Sequence, residues 1–147
     1  MQLQRSEVLA FMRSNKYAVQ GSASAAGTPQ AAVVGVAVTD DFVVIFDTLD
    51  STRKARNLVL NPAIAFVFGG LHAGDERTVQ YEGIADFPQG AELARVQADY
   101  FKVFPDGPSR LTWPEITHVR VKPRWLRYSD FNQSPPLIAE FGFQPVP

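Results

Sequence analysis

Apolar and polar positions alternate between two periods along this chain, and the changes of period divide it into elements. Residues 3–14 bring Leu3, Val8, Leu9, Phe11 and Met12 onto one face, with Gln4, Arg5 and Arg13 elsewhere. That spacing predicts a helix, ended at Asn15. Lys16–Ser24 reads as a strand, and Gly27-Thr28-Pro29 marks a turn. Gln30–Thr39 is apolar on both faces and rich in β-branched Val33, Val34, Val36 and Val38, so it reads as a strand. Asp40-Asp41 turns the chain into Phe42–Asp47, and 30–47 is therefore expected to form a hairpin. The helical period returns at Ser51–Leu60 and stops at Asn61-Pro62, because a residue before proline disfavours the α region. Ala63–Phe68 is a short strand and Gly69–Arg77 a polar loop. Thr78–Phe87 is a long strand in which Gly83 marks a bulge or a close backbone approach. Pro88 opens a helix running to about Val103, with Leu93, Val96, Tyr100 and Phe101 as its apolar positions. Phe104–Pro114 is a loop, and Ile116–Tyr128 the last strand.

About six strands joined mostly by hairpins, with three helices between them, do not make a βαβα alternation. The fold class is mainly β (α+β), an antiparallel barrel with peripheral helices. The 147 residues suit one domain. We expect the domain to occupy 1–132. The Pro-rich tail 133–147 is expected to be extended and packed on the domain or on a partner.

Composition narrows the chemistry. The chain has no cysteine, which removes disulfides, thiolate metal sites and a cysteine nucleophile. Its net charge of −1 argues against a generally basic nucleic-acid binder. No apolar run approaches the ~20 residues of a membrane span, and no secretory signal is visible, so a cytoplasmic protein is expected. His72 and His118 lie far apart without acids at ligand spacing, which favours structural roles over a metal site. There is no GxSxG elbow for a serine hydrolase. Asp40/Asp41 and Asp75/Glu76 read as solvated turn acids.

Charge distribution says more than net charge. Seven of the 14 cations sit in 51–56 and 120–127, and neither stretch contains an acid. In Phe46–Asn57 a strand runs through a hydroxyl-rich turn into a helix, with Arg53 and Lys54 in the first helical turn. A helix N-terminus disfavours cations there by roughly 0.3–1 kcal/mol each. A bound phosphate reverses that sign, accepting from backbone amides, from Ser51 or Thr52, and from a guanidinium fork. A capped surface helix with solvated cations is the competing reading. Arg120, Lys122 and Arg124 share one face of the last strand, with Arg127 close by. They read as a solvated outer face first, and as an aid to binding an anion second.

These elements and motifs, in this order, resemble the pyridoxamine 5′-phosphate oxidase-like FMN-binding split-barrel family. The resemblance rests on Gly27-Thr28-Pro29 before a valine-rich strand, Asp47-Thr48, Thr52-Arg53-Lys54-Ala55, Asn61-Pro62-Ala63, Val79-Gln80-Tyr81-Glu82-Gly83 and Val121-Lys122-Pro123, over roughly residues 5–130. It implies a six-stranded split barrel working as a homodimer, with FMN at the subunit interface and a small-molecule redox substrate. Arg53 and Lys54 would hold the FMN phosphate, with Ser51 and Thr52 beside them. Thr48 would lie near the ribityl chain or ring, and Asp47 counts among the cofactor-binding positions. Ala32, Val33, Val34 and Gly35 would line the isoalloxazine. Thr78 stands where the oxidase proper has a flavin-binding Gln, and Asp47 where it has a Tyr. Trp113 and Trp125 are candidates for stacking on or lining the flavin, and both also suit core or interface roles. The C-terminus lacks the Trp- and Arg-bearing extension of pyridoxamine-phosphate oxidases, so oxidation of pyridoxine 5′-phosphate is not assigned. The resemblance implies an FMN-dependent oxidoreductase with hydride transfer at flavin N5. Alternatives are a deazaflavin-dependent reductase of the same fold and a non-catalytic flavin- or haem-binding module.

Overall fold

A computed structural model describes residues 2–145. Within them the order is α1 (Arg5–Ser14), β1 (Tyr17–Ala23), β2 (Pro29–Gly35), β3 (Ala37–Val38), β4 (Val44–Leu49), α2 (Arg53–Leu60), β5 (Ala63–Gly69), β6 (Arg77–Asp86), α3 (Gly90–Val103), a 3-10 turn (Gly107–Thr112), β7 (Ile116–Asp130) and β8 (Leu137–Gly142). The strands form one antiparallel sheet in the order β2-β1-β5-β6-β7-β4-β3, with β8 on β7. The sheet curls until β2 approaches β4, but these two strands share no ladder. The result is a split barrel, as expected, with a seam between β2 and β4.

Two expectations need correction. The 30–47 hairpin does not form as one unit. Gly35 ends pairing with β1, Val36 N–H donates to Lys16 O at 2.8 Å, and only Ala37–Val38 pairs with β4. A run that is apolar at every position carries no signal for a change of partner partway along it, and here its outer positions Ala31 and Val33 stay exposed. The Pro-rich tail also contains a strand. β8 pairs with the second half of β7, after β4 has paired with the first half; with the division of 30–39 into β2 and β3, the six expected strands become eight.

The barrel interior is packed by alternate residues of each strand. Phe46, Phe66, Phe68 and Tyr81 are fully buried, and their rings meet edge-on or tilted at 5.7–6.5 Å. The Tyr81 hydroxyl donates to Phe42 O at 2.8 Å and to Val121 O at 3.1 Å, which satisfies the one polar atom of that cluster. Burial pushes this phenol's pKa well up. Helix α1 covers the core with Val8, Phe11 and Met12, and α2 with Leu58. A second, smaller core lies on the outside of β3–β4, where Val96 and Tyr100 of α3 cover Ala37 and Ile45. Gly83 sits at the expected bulge. The register shifts between Glu82 and Gly83, and a Cβ there would lie 2.6 Å from Lys122 O. Among the described residues no helix is long and apolar enough to cross a membrane.

Candidate functional site

Strand alternation decides where the residues of the β4–α2 segment point. Val44, Phe46 and Thr48 share the inward row, while Ile45 and Asp47 share the outward one. Thr48 therefore ends the inner row beside the start of α2, and its Oγ1 lies 3.2 Å from Thr52 Oγ1. Thr52 is the N-cap residue. Its hydroxyl donates to Leu49 O at 2.8 Å and accepts from Ala55 N–H at 3.4 Å. The Thr52 proton is thus already committed within the turn, whereas the exposed Ser51 hydroxyl has no hydrogen-bond partner among the described residues. The amides of Arg53 and Lys54, the first two of the helix, likewise meet no acceptor among the described residues. No carboxylate among those residues lies within ion-pair distance of Arg53, Lys54 or Arg56. Burial holds the Lys54 ammonium below its ordinary pKa. The turn is therefore a concentrated set of donors and positive charge, with no acidic residue in the first turn.

Asp47 goes the other way. Its carboxylate accepts from Arg110 Nε at 2.8 Å and from the Tyr100 hydroxyl at 3.1 Å, between α3 and the 3-10 turn. Asp106 holds the same guanidinium at 2.8 Å. Burial, and then Asp47, push the Tyr100 phenol up, and Asp47 raises Arg110. His118, directly across from Asp47 in the ladder, is buried beside the Tyr100 and Phe101 rings with Nε2 unpartnered. Desolvation lowers its pKa. These side chains form a packed structural cluster. Sequence reasoning missed Arg110 because it lies 63 positions from Asp47.

On the other side of the seam, Val34 is buried in the core and Ala32 faces inward beside it. Val33 points outward and is 64% exposed. Gly35 lies beneath the Phe104 ring, where a Cβ would come within 2.8 Å of it. Trp113 is half exposed, and its backbone is tied to the β4–α2 turn through Glu115, whose carbonyl accepts from Asp50 N–H at 2.8 Å. Thr78 and Trp125 lie elsewhere, together lining an outer groove with Val67, Gln80 and Glu82. Thr78 pairs with Ser129 near one end of β7, and Leu49 pairs with Ile116 at the other end. The candidate residues are thus dispersed: Thr48 and Ser51–Lys54 gather at the β4–α2 turn, Ala32–Gly35 lie across the seam on β2, Asp47 turns outward to Arg110, Trp113 sits on the segment joined to the turn through Glu115, and Thr78 and Trp125 line a separate groove.

The cations of β7 are not a free cluster. Arg120 donates to Asp86 at 2.9 Å, and Arg127 lies 3.5 Å from Glu140. Each faces its acid directly across the ladder. Arg124 and Lys122 meet no acid within ion-pair distance among the described residues.

The sequence model described as pyridoxamine 5′-phosphate oxidase matches residues 5–129. The chain belongs to this family. No curated protein matches the chain. Among solved structures, a haem-binding protein from Mycobacterium smegmatis superposes with a TM-score of 0.80 at 14% identity, over 97% of this chain and 59% of that one. The chain thus spans little more than half of that relative. The haem storage protein HutZ of Vibrio cholerae gives 0.74 at 16% identity, over 97% and 95%. A pyridoxamine 5′-phosphate oxidase-related, FMN-binding protein from Nostoc punctiforme gives 0.69 at 11%, over 99% and 98%. At these identities the likeness is one of fold. Within this family fold, the β4–α2 turn is where unpaired cations and free amides converge.

Proposed function

We propose that this member of the family is an FMN-binding flavoprotein, a homodimer with flavin at the subunit interface, acting as an FMN-dependent oxidoreductase on a small-molecule substrate in the cytoplasm. The observation that carries the reading is the pair Arg53 and Lys54 at the free N-terminus of α2, without an anionic partner among the described residues. The donor set suits a phosphate monoester: a planar fork, an ammonium, two backbone amides and the free Ser51 hydroxyl. An anion there would also offset the desolvation that lowers Lys54.

A bound flavin would supply hydride transfer at its N5. The chain's own residues bind and orient. Arg53 and Lys54 anchor the phosphate, the Thr48–Thr52 pair keeps the turn rigid, and Ala32 and Val33 border the seam. Asp47 acts indirectly, by fixing the segment that carries Trp113. The patch of Thr78 and Trp125, near the far end of β7, serves the flavin of a second copy. Pairing through the outer face would cover the exposed Tyr17, Val33, Val67 and Leu71, which is the support for a dimer.

The test is a visible spectrum of the purified protein, followed by FMN titration. Arg53→Ala combined with Lys54→Ala should weaken FMN binding by roughly 1.5–3 kcal/mol for each charge-assisted hydrogen bond removed. A protein that takes up no FMN at micromolar concentration overturns the reading. Tighter binding of a deazaflavin coenzyme than of FMN would reassign the cofactor. Haem is the second reading, because exposed His72 borders the apolar groove of Tyr17, Val33 and Val67. A Soret band in place of flavin bands would establish it.

A further inference from the structure

The inner face of the β1–β2 hairpin carries polar side chains where most of the barrel interior is apolar. Gln20 is fully buried, and its Nε2 donates to Gln30 Oε1 at 3.3 Å. The Ser22 hydroxyl donates to the same oxygen at 3.4 Å and accepts from Asn57 Nδ2 of α2 at 3.1 Å. Ser22 and Asn57 are each 6% exposed. Gln20 Oε1 is left without a partner. Such a chain of buried polar groups is costly compared with apolar packing, most of all at an orphaned oxygen.

Helix α2 has eight residues, and only Ala55, Asn57 and Leu58 are buried. Ala55 is small, and Leu58 packs without directional preference. Asn57 alone among the three makes a directional side-chain bond to the sheet. It lies four residues after Arg53 and three after Lys54, on the stripe from which Arg53 emerges. Fixing Asn57 therefore fixes the rotation of α2 about its axis, and with it the direction in which both cations leave the helix.

The geometry points to Asn57 and Ser22 as positioning residues that aim Arg53 and Lys54 at a single phosphate. The inference rests on the phosphate-anchoring role proposed above for those cations. Its specific consequence is selectivity for the phosphorylated form of the ligand, since riboflavin lacks the group that the cations address.

The experiment measures dissociation constants for FMN and riboflavin, together with the thermal midpoint, in the full chain. Wild type should prefer FMN, and Arg53→Ala with Lys54→Ala should abolish the preference. Asn57→Leu fills the site with apolar volume and should lower the FMN-over-riboflavin ratio by roughly tenfold, the equivalent of about one charge-assisted hydrogen bond. Riboflavin affinity should stay near the wild-type value. Ser22→Ala should lower the ratio in the same direction, and Ser22→Thr, which keeps the hydroxyl, should restore it. An unchanged ratio in Asn57→Leu and Ser22→Ala overturns the inference while leaving the phosphate anchor standing. Parallel loss of both ligands with a lower thermal midpoint also overturns it, since that is a purely structural role. A wild type without preference for FMN overturns the anchor and this inference together.

Discussion

Replacing Asp47 by Ala removes an acceptor shared by Arg110 and Tyr100. Both sides of the ion pair are largely enclosed, with side-chain exposures of 15% for Asp47 and 17% for Arg110. Breaking a fully buried pair by deleting one partner costs roughly 3–5 kcal/mol. Two features modify that figure. Arg110 retains exposed Asp106, which lowers the cost, and the buried Tyr100 hydroxyl loses its acceptor, which raises it. The expected destabilisation is about 3 kcal/mol, or a fall on the order of 6–12 °C in thermal midpoint for a domain of this size. Urea unfolding followed through Trp113 and Trp125 fluorescence measures it. A double-mutant cycle with Arg110→Ala isolates the pair, and a coupling of about 1.5–3 kcal/mol is expected. Asp47→Asn should fall between wild type and Asp47→Ala, because it keeps an oxygen for Tyr100 without the charge. A loss below about 0.5 kcal/mol in Asp47→Ala, or zero coupling, would refute the description of this cluster as structural. FMN affinity in Asp47→Ala should fall far less than in the Arg53/Lys54 double variant.

His118 gives a pH dependence of defined sign. Its folded pKa lies below the unfolded value, so the unfolded chain binds the extra proton. The stability involved is fully present above the unfolded pKa of about 6.5 and is lost as pH falls through the folded value, with a slope of at most about 1.4 kcal/mol per unit. His118→Phe should flatten that slope between pH 7.5 and pH 5.5 in urea titrations. Gly83→Ala places a Cβ against Lys122 O and Val121 Cγ1, both at 2.6 Å, and should cost roughly 2–4 kcal/mol or prevent folding, read as soluble yield and urea midpoint. Tyr81→Phe removes the single hydroxyl proton shared between Phe42 O and Val121 O and should cost about 1–2 kcal/mol, with the core otherwise intact by near-ultraviolet circular dichroism.

Local signals were legible in the sequence wherever one residue's backbone chemistry decides the outcome. Asn61-Pro62 ends α2, and Gly83 bulges because no Cβ fits, whereas the helix starts two residues later than expected, with Thr52 as its cap. The concentration of cations at the start of α2 was equally readable, since both lie within one turn. What escaped depends on register. Arg120 and Arg127 look free in a stretch without acids, yet Asp86 and Glu140 face them from neighbouring strands. The division of 30–39 between β1 and β4, and the strand in a proline-containing tail, follow from which edges are available for pairing. Asn57 reads as an ordinary polar helix residue until Ser22, 35 positions away, is found beneath it.

The long strand β7 pairs with β6 along one side and with β4 and then β8 along the other. During synthesis this makes it the latest indispensable part. Phe46 of β4 faces Val119, so the inner row of β4 leaves the ribosome about 70 residues ahead of its ladder partner. At roughly 5–20 residues per second that is a wait on the order of 4–14 s. For that interval Val44 and Phe46 are committed to a wall that has not been made. The barrel cannot close progressively from its first strands, and closure waits for one late segment to slot between edges already in place. Pairing so distant in the chain is the kind that slows folding, set here beside the local hairpins β1–β2, β5–β6 and β7–β8.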